Sequence, residues 1–342
     1  MPPRFAQRIA FVVIVVASLG TERALAEPEK ASQPARKATE RAIEFLKKDA
    51  EKWREDRKCA SCHHGAMTVW ALCEAKSQGY AVTAESLADF TKWTKERLKD
   101  IGKPRDTRPG WSMVNTPAVY LATMAQAVPK QDTISADELK QIAGHLVRHQ
   151  ETDGSWAWSL APAKNRPPPV FESDEVVTVL ADSALAPHEP ADAKEKSEIR
   201  DSREKASAWL AKSKPNETTQ TLGVRLFADV RGGKPAKELQ PTIDRLLARQ
   251  NKDGGWGQVK DDASDAYATG QALYFLSFAG VRPDRPEIER GVTYLVTTQK
   301  EDGSWPMKSR AHPGEKPFTN PVPITYFGSA WATMGLVRAV AK

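Results

Sequence analysis

Three groups of residues in this chain of 342 have types and spacing suited to chemistry. The first is Cys59-Ala60-Ser61-Cys62-His63-His64. Cys-x-x-Cys-His is the string that attaches haem c, because two thiols three residues apart reach both vinyl groups and the next His ligates the iron. The same residues admit other chemistry. In an oxidising compartment Cys59 and Cys62 can close a short disulfide, and with Cys73 and His63 or His64 they can supply a Cys3His zinc site. They can also act as redox thiols, although no thioredoxin-like βαβ pattern surrounds them. If haem is bound, His63 is the proximal ligand, and His145, His149, His312, Met67 and Met113 are the candidates for the opposite face.

The second group is acidic: Glu172, Asp174 and Glu175 in the string Glu172-Ser173-Asp174-Glu175-Val176-Val177, and Asp265 after Ser264. Crowded carboxylates raise one another's pKa, which lets one of them keep a proton for general acid work at neutral pH. Ser-Asp pairs also cap helices, since their oxygens accept from the unpaired N–H groups of a first turn. The third group is aromatic: Trp70, Tyr120, Tyr267, Phe275, Tyr326, Phe327 and Trp331, whose faces can stabilise a cation or simply fill a core.

These residues need positioning elements, and the sequence supplies them as a repeat. Gln150 to Trp156, Gln250 to Trp256 and Gln299 to Trp305 each read Gln-x-x-Asp-Gly-(Ser/Gly)-Trp. The Gln residues lie 100 and 49 positions apart, so a period near 50 fits with one degenerate copy between the first two. Glu204 to Lys212 followed by Pro215-Asn216 is that copy, Phe90 to Leu98 before Pro109-Gly110-Trp111 is a weaker one, and Ala42 to Leu46 opens the first. Each copy starts with apolar residues at helical spacing, and the Asp-Gly turn then stops the helix. Second helices follow over 65–77, 116–127, 174–186, 218–229, 265–278 and 325–340, apolar and small on all sides, as expected for burial on both faces. Aligned on those helices, Asp174 and Asp265 share a position, and His64 and Thr325 are its equivalents in the first and last copies. Six helix pairs that cannot bury their faces singly are expected to stack into one all-α ring, an (α/α)6 toroid of residues 38–342.

The Gln-x-x-Asp-Gly-Ser-Trp repeat resembles the QW repeat of squalene and hopene cyclases and of protein prenyltransferase β subunits, which are (α/α)6 toroids. In that family Gln and Trp tie neighbouring helices together, so the resemblance implies fold before reaction. Hopene-type cyclases use Asp-x-Asp-Asp-Thr-Ala at an inner-helix start to protonate an alkene; here the string is Glu-x-Asp-Glu-Val-Val, acidic at the same three positions. Family cyclases also pair two barrels, whereas this chain has residues for one. The zinc site of the prenyltransferases needs an Asp, a Cys and a late His, but no Cys follows Cys73 and Thr325-Tyr326-Phe327-Gly328 offers no His. Toroids also host glycoside-processing enzymes, a link of fold alone.

The start of the chain bears on compartment. Arg4 and Arg8 precede the apolar stretch Ile9 to Gly20, and Ala24-Leu25-Ala26 is a small-x-small site, the parts of a secretory signal covering residues 1–26. That stretch is shorter than the ~20 residues a membrane span needs. Residues 27–37 are expected to be a flexible lead-in, the His188 to Ile199 connector a solvated link, and the insertions Pro162 to Pro169 and His312 to Pro323 to sit at the mouth of the ring. The net charge of +6 is spread without a basic run, which argues against nucleic acid. The expectation is therefore an exported, periplasmic or secreted toroid with no stable membrane insertion once its signal is removed. It carries haem c and meets a redox partner, or acts on an isoprenoid or other apolar ligand in its ring, or is a non-catalytic scaffold.

Overall fold

The computed structural model describes residues 26–58, 62–101, 112–157, 173–192, 194–308, 310 and 321–340. Twelve α-helices and no β-strand form among these residues. The outer set is α1 (Ala26–Arg57), α3 (Ala84–Lys95), α5 (Ala136–Arg148), α7 (Glu198–Lys212), α9 (Ala236–Leu247) and α11 (Pro286–Thr298). The inner set is α2 (Thr68–Ser77), α4 (Ser112–Ala127), α6 (Asp174–Leu185), α8 (Thr219–Arg231), α10 (Ala266–Phe278) and α12 (Pro321–Ala339). Neighbouring inner helices pack on one another around the circuit, and α12 closes it against α1 and α2. The all-α toroid read from the repeat is the observed fold.

The inner helices run parallel, because their contacts climb in step. Thr68 meets Tyr326 and Glu74 meets Arg338; Gly270 abuts Trp331 and Ser277 meets Arg338. Their N-terminal ends therefore share one face of the ring, the mouth, and their C-terminal ends the other, the floor.

The repeat turns show why the sequence recurs. Gln150, Gln250 and Gln299 each donate Nε2 twice, to the carbonyl of the turn glycine (2.9, 2.8 and 3.1 Å) and to one on the next outer helix (Ser202 2.7 Å, Glu287 2.6 Å, Ala38 2.8 Å). Trp156, Trp256 and Trp305 donate their indole N–H to Leu146, Leu246 and Leu295, carbonyls of the preceding helix, at 2.8, 2.7 and 2.9 Å. Gly303 holds a φ of +90°, and a Cβ there would lie 2.3 Å from the Arg41 carbonyl oxygen, so only glycine lets the turn touch α1. In the degenerate copy Glu217, just past the turn, makes the link to the next repeat by pairing with Arg245 of α9 and with Arg249 beyond its end.

One expectation is corrected. Residues 27–37 are not a flexible lead-in but lie inside α1, where Ala35 is buried and the Arg36 guanidinium stands 4.9 Å from the centroid of the Tyr80 ring. The described residues of the His188 to Ile199 connector are exposed or half-buried, as a solvated link should be, and Arg200 ties it down by donating to the carbonyls of Pro190 (2.8 Å) and Asp192 (2.9 Å) and pairing with Glu189 (3.0 Å).

Candidate functional site

The first repeat lacks the Asp-Gly-Trp turn, and its inner helix begins instead as a π-helical turn, Cys62–Met67, that runs into α2. π-helical turns are rare and concentrate at functional sites. The turn brings His63 and His64 into an aromatic cage. His64 stacks on Trp53 (4.4 Å between centroids, 5° between planes) and lies 3.8 Å from Tyr326, while His63 meets Phe327 at 5.8 Å. The Tyr326 hydroxyl donates to the Leu46 carbonyl at 2.9 Å, which fixes that wall.

Protons in this cage can be assigned. Burial pulls both imidazoles below 6.5, His63 well below with the neighbouring His64 adding to it, so both rings are neutral at physiological pH. His64 Nε2 lies 2.9 Å from Asp49 Oδ2, and a carboxylate only accepts, so this nitrogen carries the hydrogen. His64 Nδ1 is then an acceptor, and it faces His63 Nδ1, which must donate. The remaining nitrogen of His63, Nε2, is thereby left unprotonated, the form in which imidazole binds metals.

Cys59 lies outside the described residues, as does the side chain of Cys62. Cys73 sits ten residues beyond His63, roughly 15 Å along the helix. Its thiol faces Thr133 Oγ1 at 3.6 Å, and burial pushes it up to about 11. A Cys3His zinc set that includes Cys73 is therefore not assembled, and no group of three or more metal-ligating side chains gathers among the described residues. Of the residues considered for a distal position, His145 lies on α5 and His149 caps its C-terminus, and α5 packs on α4, α6 and α7. There His145 Nε2 meets Asn115 Oδ1 at 2.5 Å and His149 Nδ1 meets the His145 carbonyl at 2.8 Å. Met67 is core. His312 and the Met113 side chain lie outside the described residues.

The described acids stand at the starts of two inner helices, α6 and α10, with α8 between them. Glu172 lies outside the described residues, and Asp174 opens α6 behind the cap Ser173, whose hydroxyl accepts from the Val176 N–H. Glu175 is buried and committed, for it pairs with Arg225 of α8 at 2.6 Å and accepts from the Asn216 N–H at 2.7 Å. So engaged, its carboxylate is tied between α6 and α8. Asp265, with α8 between it and α6, caps α10: it accepts from the Ala268 N–H (2.7 Å) and from Gln258 Nε2 (2.8 Å). Burial raises its carboxyl to about 6.

Five residues that sequence reasoning missed build the rest. Glu74, Tyr274 and Arg338 close the floor, with Arg338 on Glu74 at 2.8 Å, the Tyr274 hydroxyl donating to Glu74 at 2.6 Å and Trp70 donating to Tyr274 at 3.2 Å. Glu74 was visible as the one acid in an apolar inner helix, whereas Asp49, on a highly charged outer helix, carried no signal. Gln271, the fifth, stands on α10 between Tyr267 and Tyr274. All the aromatic residues named from the sequence are buried, and Trp331 touches Trp70, Tyr267, Tyr274 and Phe275, with centroids 5.3 to 6.5 Å apart.

The geometry agrees with the comparisons to known proteins. Residues 165–328, which contain Asp174, Glu175 and Asp265, match the family profile described as the squalene-hopene cyclase C-terminal domain. A drimenyl diphosphate synthase of Streptomyces showdoensis is 25% identical over 226 residues, 65% of this chain and 32% of that protein. A squalene–hopene cyclase of Bradyrhizobium diazoefficiens is 38% identical over 90 residues, 23% of this chain and 13% of that protein. The chain thus spans a third or less of the length of these relatives. The type II terpene cyclase MstE from Scytonema superposes with a TM-score of 0.54 at 15% identity, covering 90% of this chain and 99% of that one. A glycosyl hydrolase family 88 protein from Bacteroides vulgatus gives 0.55 at 12%, covering 88% and 99%. At such identities the structural likeness shows the fold; the sequence matches support a relationship to the cyclase toroids.

Proposed function

We propose that this chain is an exported toroid that carries a c-type haem on Cys59 and Cys62, with His63 as axial ligand, at the mouth of a ring whose aromatic interior receives an apolar small molecule. The Asp49–His64–His63 proton order carries the reading, because it leaves Nε2 of His63 as the unprotonated nitrogen directly after a Cys-x-x-Cys string. The residues present fit the group: a neutral imidazole with its other nitrogen held by a hydrogen-bonded partner, beside Trp53 and Phe327. Bound haem would supply one-electron or small-molecule chemistry. The chain's own part is to fix the His63 tautomer, to exclude water with Trp53, Tyr326 and Phe327, and to hold an organic molecule against the inner aromatic wall. The signal-like segment 1–26 supports export, and no described helix is long and apolar enough to cross a membrane.

The deciding measurement is an oxidised and reduced absorption spectrum with intact mass, on protein made in a periplasm with active cytochrome c maturation. The expected result is a c-type spectrum and a haem-sized mass increase, both lost in Cys59→Ala/Cys62→Ala. A colourless protein lighter by two hydrogens overturns it in favour of a disulfide.

A second reading, acid-catalysed chemistry on an isoprenoid, rests on the family match across Glu172 to Asp265 and on the raised Asp265 carboxyl. With Glu175 held by Arg225, Asp174 and Asp265 are its candidate acids. Unchanged turnover of a polyene substrate in both Asp174→Asn and Asp265→Asn would end it.

A further inference from the structure

The contacts of α10 fix which way each of its faces points. Gly270 abuts α12 at Trp331, and Phe275 abuts Gly223 of α8, so those are its two flanks. Leu273 and Thr269 face outward, toward Gly291 of α11 and the Trp256 amide. The remaining face, with Tyr267, Gln271 and Tyr274, looks along the ring axis.

On that face Gln271 is wholly buried, yet neither its Nε2 nor its Oε1 has a hydrogen-bond partner. Trp331, 2% exposed, likewise leaves its indole N–H unpaired. Each orphaned group costs about 1–3 kcal/mol. The neighbours are not orphaned: Gln220 donates to the Tyr267 hydroxyl at 2.6 Å, and Tyr274 is bound to Glu74. Thr91, Asn115, His145 and Arg225 each leave one buried polar atom without a hydrogen bond on other helices, but Gln271 alone among the described residues leaves two, and a ligand there would make good the missing bonds.

We propose that Gln271 and Trp331 form a recognition subsite for the hydroxyl of a neutral phenol or hydroquinone. A hydroxyl both accepts, from the indole N–H or the amide Nε2, and donates, to Oε1; a carbonyl or ether can only accept. Trp70, Tyr120, Tyr267 and Tyr274 supply ring faces and edges for an aromatic body. The cation nearest the floor, Arg338, is already taken by Glu74, so a phosphate or carboxylate would be buried at this spot without a counter-charge. The subsite does not depend on haem.

The test is calorimetric titration with hydroquinone under argon, set beside 1,4-dimethoxybenzene, glucose and inorganic pyrophosphate. It is run on the chain as purified and on Cys59→Ala/Cys62→Ala, so that loss of the haem reading leaves this one standing or falling by itself. Hydroquinone is expected to bind best in both proteins. Gln271→Leu is expected to weaken it about tenfold, the loss of a pair of hydrogen bonds, while the ligand-free thermal midpoint holds or rises because an orphan amide is gone. Trp331→Phe is expected to weaken it less, keeping the aromatic wall. Equal affinity for hydroquinone and its dimethyl ether, preference for glucose or pyrophosphate, no binding, or an unchanged affinity in Gln271→Leu would each overturn the proposal.

Discussion

The floor and the mouth of the ring both hold ionisable groups out of water, and they do it in opposite ways. At the floor, Glu74 and Arg338 pair with each other against the burial that pushes the Glu74 carboxyl up, with the Tyr274 hydroxyl and the Ala127 carbonyl completing the set and Trp70 donating to Tyr274. At the mouth, His63 and His64 give up their charges and pass a proton order inward from Asp49. The floor is a closed set of bonds; the mouth is a chain of tautomers that leaves His63 Nε2 unprotonated.

The contrast can be broken most strongly at the floor. Arg338→Met strands the Glu74 carboxylate in the core and should cost about 3–5 kcal/mol in denaturant unfolding, whereas Glu74→Leu/Arg338→Met should recover most of that. If the double variant is as unstable as the single one, the floor is held by packing and the comparison fails. Gly303→Ala should cost about 1–3 kcal/mol in the same assay, from a left-handed backbone and a Cβ set against Arg41.

The mouth should respond to pH. Both histidines have folded pKa values below their unfolded value of 6.5, so the unfolded chain takes up protons first. Their contribution is complete above about 6.5 and is lost as pH falls below it; thermal midpoints should decline there, and His63→Leu should flatten the decline. Asp265 is shifted the other way, up to about 6 from 3.8. Its contribution is full below 3.8 and fades as pH rises through 6, so Asp265→Asn, which keeps a capping side chain, should remove that dependence with little change at acid pH.

The ring was readable because its information is local: Asp153, Asp253 and Asp302 each cap their own turn, and apolar spacing marks every inner helix. The inner-helix starts at Asp174, Thr219 and Ala266 fall within a residue of those read from the sequence. The sites were half readable, for the opposite reason. His63 announces itself through its cysteines, but the carboxylate that sets its tautomer sits one helix earlier among ordinary surface charges. The engagement of Glu175 was hidden because its partner Arg225 lies 50 residues away, and nothing local pairs them. Glu74 and Gln271 stood out as single polar residues in apolar helices, a signal of burial with a purpose that does not say which purpose.

The staple from Gln299 to Ala38 joins residues 261 apart, against 52 for the equivalent bond from Gln150 to Ser202. Because the entropy of closing a loop grows only with the logarithm of its length, sealing the ring costs roughly 1.4 kcal/mol more than joining neighbours. In return the circuit has no terminal unit from which to fray. An open stack of repeats melts from its ends inward, while this one should exchange its inner-helix amide hydrogens together or not at all.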